Sequence, residues 1–142
     1  MSPDIKVQLR KLLVLHESCK LFPYTDTTGN LTIGIGRNLT TRGISTNEAY
    51  EMLDDDIAYF TDKLQNNTEF FNTLDDIRQA AIVDMCFNLG INGFLEFKEM
   101  LSALESRDYN KAATEMLNSK WAHQVGERAT CLATIIQTGK LQ

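Results

Sequence analysis

Histidine, cysteine, basic charge and long apolar runs are all scarce in this chain, and each shortage removes a class of function. The two histidines, His16 and His123, lie in neither an HExxH pattern nor a paired cysteine spacing. No metal site and no other cofactor is therefore expected. The three cysteines, Cys19, Cys86 and Cys131, are odd in number and widely separated without pattern. That argues against a disulfide framework and suits a reducing cytoplasm. Net charge is −5, so neither a nucleic-acid partner nor attraction to an anionic membrane is expected. The N-terminal segment has only Leu12 to Leu15 as a continuous apolar run. Such a run is too short for a signal-peptide core and far too short for a membrane span, so neither export by a leader nor membrane insertion is expected.

What is present is a chain one domain long, 142 residues, with ordinary hydrophobic content and room for a real core. Its most informative stretch is HESCKLFPYTDTTGNLTIGIG, His16 to Gly36. A helix predicted from Ser2-Pro3-Asp4 carries Ile5, Leu9, Leu12, Leu13 and His16 on one stripe and ends near Glu17. Glu17 falls at the edge of that stripe, where a carboxyl can be partly desolvated. An extended run from Leu21 to Thr25 follows, then a polar turn from Asp26 to Asn30. A second extended run from Leu31 to Gly36 alternates in strand period. The hairpin brings Thr32 back beside Asp26. Two carboxyl groups in different surroundings, Glu17 and Asp26, are what glycoside hydrolysis requires. Residue by residue, however, Glu17 also reads as a solvated helix-end acid, Asp26 as a turn former and Thr32 as a strand filler.

The remainder is helical. Ser45 and Glu48 form a capping box for a helix reaching about Leu64, preceded by a polar loop that ends in a short third strand. Phe70 and Phe71 read as core plugs. Thr73 is the expected cap of the next helix, Leu74 to Leu89, which is apolar nearly all round and hence central and buried, with Gly90 as its stop. Further helices are expected from Gly93 to about Arg107, from Asp108 to about Ser119 and from Gly126 to about Thr138.

The order Glu17, eight residues, Asp26, five residues, Thr32, set in a helix end and hairpin with TIGIG, resembles the catalytic signature of the phage-type lysozymes, glycoside hydrolase family 24. LDDIRQAAIVDMCFNLG at Leu74 to Gly90 is similar to that family's central helix. KAATEML, KWAHQ and GERA followed by TG resemble its C-terminal helices in the same order. The resemblance implies an α+β, mostly helical, two-lobed fold. A small β-hairpin or sheet lies in the N-terminal lobe (about 14–65), and a helical lobe (about 66–142 plus 1–13) surrounds the central helix.

It also implies a muramidase that cuts the β-1,4 bond between N-acetylmuramic acid and N-acetylglucosamine in peptidoglycan glycan strands. Glu17 is then the general acid, with Asp26 and Thr32 positioning water. Inversion at the anomeric carbon would need carboxyls roughly 6.5–9.5 Å apart. Phe87 and Asn88 match cleft positions. Arg128 occupies the place of an arginine that pairs with the catalytic Glu, although it also reads as a surface residue paired locally with Glu127 or with nothing. Trp121 matches a tryptophan that is chiefly core. The context so implied is a monomeric phage or prophage endolysin, held in the host cytoplasm until a separate holin-type pore releases it to cause lysis. Two other classes stand beside this one: a thiol-dependent peptidoglycan peptidase using Cys19 and His123, and a catalytically silent helical module that binds glycan or protein.

Overall fold

A computed structural model describes residues 1–141. The fold is α+β and mostly helical, with seven helices and one three-stranded antiparallel sheet among the described residues. The chain divides into two compact units, Met1–Glu51 and Met52–Gln142.

In the first unit, α1 (Pro3–Glu17) opens as expected: the Ser2 hydroxyl accepts from the Ile5 N–H at 3.4 Å, and Pro3 and Asp4 fill the first turn. Ser18 ends it with φ 64°, a left-handed conformation rarely adopted by a residue with a side chain, while its N–H still donates to Val14 O at 2.9 Å. The first unit by itself leaves the expected stripe of Ile5, Leu9, Leu12 and Leu13 exposed.

Three strands follow, β1 (Lys20–Thr25), β2 (Leu31–Gly34) and β3 (Arg37–Asn38), paired in the order β1-β2-β3. Tyr24 faces Thr32, Thr25 faces Leu31, and Thr32 also pairs with Asn38. The inward position is Thr32, which is buried, while Leu31 and Ile35 stay exposed. Helix α2 (Thr46–Asn67) starts on the capping box: Glu48 N–H donates to Ser45 Oγ at 3.1 Å, and Ser45 N–H donates to Glu48 Oε1 at 3.0 Å.

The second unit holds the core. A 3-10 turn at Phe71–Thr73 leads into α3 (Asp76–Leu95), then α4 (Lys98–Glu105), α5 (Tyr109–Leu117), α6 (Lys120–Val125) and α7 (Glu127–Thr138). Phe71, Leu64, Ile82, Met85, Cys86, Phe94, Leu104, Met116 and Ile136 are fully buried together. Each large apolar side chain among them contributes about 1.5–3 kcal/mol by leaving water. Phe70 and Phe71 are core plugs, as expected. The cap of α3 is Asp75 and not Thr73: Asp75 accepts from the Arg78 N–H, whereas the Thr73 hydroxyl turns back to Phe70 O at 2.6 Å. At Gly90 the φ of 73° breaks α3, and a short helical continuation runs on to Leu95. The helix expected from Gly93 to Arg107 is thus split at Glu96 and Phe97.

Candidate active site

Glu17 is the last residue of α1 and is an exposed residue of the first unit. The partial desolvation expected from its helical position is not supplied by that unit, because none of α1 is buried. Its carboxyl instead lies against Gly36, just beyond β2.

Asp26 is fixed by the turn it begins. Its Oδ1 accepts three hydrogen bonds, from Thr28 N–H at 2.9 Å, Thr28 Oγ1 at 2.8 Å and Asn30 N–H at 2.8 Å. The Asp26 N–H in turn donates to Asn30 O at 2.9 Å. The Asn30 N–H, followed by the Thr28 hydroxyl, holds the carboxyl below its ordinary pKa. The turn chemistry thus keeps Asp26 ionised while occupying only one of its oxygens.

Thr32 lies opposite Tyr24, and Asp26 is two residues beyond Tyr24. The Thr32 hydroxyl donates to Asn30 O at 3.1 Å, so both residues are tied to Asn30. Glu17, Asp26 and Thr32 therefore all belong to the first unit.

Phe87, Asn88 and Arg128 belong to the second. The Phe87 ring stands 5.5 Å from that of Phe60 and helps line a cavity of about 520 Å³, together with Leu53, Ile57, Val83, Asp84 and Arg128. Arg128 is neither solitary nor paired with Glu127. Its Nη2 stands 2.7 Å from Asp84 Oδ1, Nε donates to that same oxygen at 2.8 Å, and Nη2 also donates to Asp84 O at 3.1 Å. Asn88 is held by Trp121, whose indole N–H donates to Asn88 Oδ1 at 2.7 Å. Trp121 is buried edge-on to Phe97. The sequence carries no local signal for either pairing, since the partners stand 44 and 33 residues apart.

Cys19 and Cys131 are exposed free thiols, whereas Cys86 is buried and its thiol is pushed up to about 11 by that burial. A buried thiol of that kind is inert as a nucleophile. Among the described residues no three His, Cys, Asp or Glu side chains gather as a metal-binding group.

The family model described as Phage lysozyme matches residues 14–134. Probable T4-type lysozyme 1 of Dictyostelium discoideum is 30% identical over 162 residues, covering 94% of this chain and 95% of that protein. Probable T4-type lysozyme 2 of the same organism is also 30% identical, covering 94% of this chain and 96% of that protein. The pre-baseplate central spike protein Gp5 of Enterobacteria phage T4 is 26% identical, covering 96% of this chain but 28% of that protein.

Proposed function

The chain belongs to the phage lysozyme family of glycosidases, and from that premise we propose that it is a muramidase hydrolysing the β-1,4 bond between N-acetylmuramic acid and N-acetylglucosamine. Glu17 delivers its proton to the leaving glycosidic oxygen as the bond to the anomeric carbon breaks. A water held by Asp26 and Thr32 attacks that carbon from the opposite face and passes its proton to the Asp26 carboxylate. The anomeric configuration inverts. On this reading Phe87 and Asn88 are glycan-contact residues, and Arg128, held by Asp84, is a supporting residue.

The observation that carries this reading is the division of labour at Asp26. Three hydrogen bonds saturate Oδ1 and keep the group ionised, which leaves Oδ2 to take a water. An ionised acid held by its turn, together with a second acid at the end of the preceding helix, supplies the pair of carboxyls that glycoside hydrolysis uses. Digestion of purified peptidoglycan tests it: new reducing ends without new free amines, and an inverted anomer in the first product, are expected. Release of amino termini would favour the thiol peptidase, and no release at all the silent module.

The setting we propose is a monomeric endolysin that waits in a bacterial cytoplasm for a separate holin-type pore. A second setting, outside any phage, is favoured by the source of the two T4-type relatives in Dictyostelium discoideum. Lysis of a Gram-negative host on expression alone, without membrane damage, would contradict the dependence on a pore.

A further inference from the structure

Two glycines at the end of β2 share a positive φ but not a neighbourhood. Gly34 and Gly36 have φ of 68° and 66°, so a side chain at either position meets similar backbone strain. A Cβ built on Gly34 has nothing within 4 Å. One built on Gly36 stands 2.6 Å from Oε2 of Glu17, 2.8 Å from its Cδ and 3.0 Å from its Cγ. The Glu17 carboxyl occupies space that only glycine leaves open.

Resting on the reading of Glu17 as general acid, we propose that Gly36 is a positioning residue for the reaction, its bare Cα forming the seat on which the Glu17 carboxyl is held. Glu17 needs such a seat. It is an exposed side chain at the end of a helix, and it makes no side-chain hydrogen bond within its own unit. A general acid works only within hydrogen-bond reach of the leaving oxygen. With a methyl group on Gly36, Oε2 must retreat by about 0.8 Å to regain an ordinary contact of 3.4 Å. A misplacement of that order costs about 10²-fold in rate. Gly34, with nearly the same φ and no such neighbour, is the control for backbone strain.

The matched pair Gly34→Ala and Gly36→Ala separates the seat from the strain. Gly36→Ala is expected to lower kcat on peptidoglycan by about 10²-fold with KM little changed, while Gly34→Ala keeps kcat within a few-fold of wild type. Equal losses of kcat in the two variants would overturn the proposal. A second measurement needs no activity and covers a Gly36→Ala chain that folds poorly. In the wild-type background Gly36→Ala is expected to lower the thermal midpoint more than Gly34→Ala does. In a Glu17→Ala background that excess should vanish, because the clashing carboxyl is gone. An excess that persists without Glu17 would show that the glycine answers to something other than the acid. If Glu17→Gln is fully active the muramidase reading fails, whereas an inactive Glu17→Gln beside a fully active Gly36→Ala sinks the seat alone.

Discussion

Arg37 reaches from β3 to the first turn of α2, where its Nη2 stands 2.7 Å from Oε2 of Glu48. Its other terminal nitrogen donates to Gly43 O at 3.2 Å. The second oxygen of the same Glu48 carboxylate closes the capping box with the Ser45 N–H. One carboxylate thus starts α2 and ties down the residue that follows Gly36. The Arg37 hydrogen bond is the largest influence on Glu48 and the Ser45 N–H the next, and together they hold its pKa at about 2.

A pH dependence follows from that shift. The folded value of about 2 lies below the ordinary 4.5, so the unfolded chain takes up the proton first as pH falls. Stability from this group is complete above pH 4.5 and is lost as pH drops through the window down to 2. Glu48→Gln is expected to be less stable than wild type at neutral pH, and the two denaturation midpoints should converge on acidification through this window. A gap that stays constant down to the lower limit would contradict it.

Arg78 clamps the C-terminal end of α7. Its Nε donates to Ile136 O at 2.6 Å and Nη2 donates to Gln137 O at 3.2 Å, while Nη1 holds Asp75 at 3.0 Å. The guanidinium also lies 3.7 Å from the centroid of the Tyr109 ring. A cation at a helix C-terminus with charge-assisted hydrogen bonds and an aromatic face is worth about 2–4 kcal/mol. Arg78→Ala should lower the urea midpoint accordingly with an unchanged slope, and leave kcat of the folded enzyme intact. A loss below about 0.5 kcal/mol, the ordinary size for a surface substitution, would show the clamp to be idle.

Trp121 sets the orientation of the Asn88 amide. With Oδ1 taken by the indole N–H, the amide NH₂ of this exposed residue is left to donate, and on its proposed role in glycan binding it would donate to an acceptor such as an acetamido oxygen. Trp121→Phe keeps an aromatic ring but removes that donor. It is expected to raise KM several-fold while destabilising the fold by about 1 kcal/mol for the lost hydrogen bond, with kcat nearly unchanged. A KM equal to wild type would remove Asn88 from glycan binding.

Local patterns were readable in the sequence and distant partners were not. Ser2, Ser45 with Glu48, and the Asp26 turn each declare themselves within five residues, and each takes its expected structure. Asp75 displaced Thr73 as the α3 cap because the Thr73 hydroxyl found a carbonyl in the preceding 3-10 turn. Both residues suit a cap, and only the turn decides between them. α6 was legible only as the KWAHQ motif, since six residues are too few for a helical stripe to stand out. The partners of Arg128, Asn88 and Arg78 lie tens of residues away in sequence, and no periodicity records them. The contrast between Gly34 and Gly36 was equally invisible, because nothing in TIGIG records that the Glu17 carboxyl stands against the second glycine and not the first.

The central claim is that Glu17 supplies the proton that breaks a glycosidic bond, and the most direct measurement compares Glu17→Gln with Cys19→Ser on purified peptidoglycan. Glutamine keeps the shape and hydrogen-bonding capacity of Glu17 but has no proton to give. Loss of a general acid is typically about 10²–10⁴-fold in rate. The expected result is a Glu17→Gln protein with wild-type stability whose release of reducing ends has fallen by at least that range, beside a Cys19→Ser protein of nearly full activity. A Glu17→Gln protein that still works, beside an inactive Cys19→Ser protein whose wild-type parent releases free amines, would contradict the claim and put a thiol peptidase in its place.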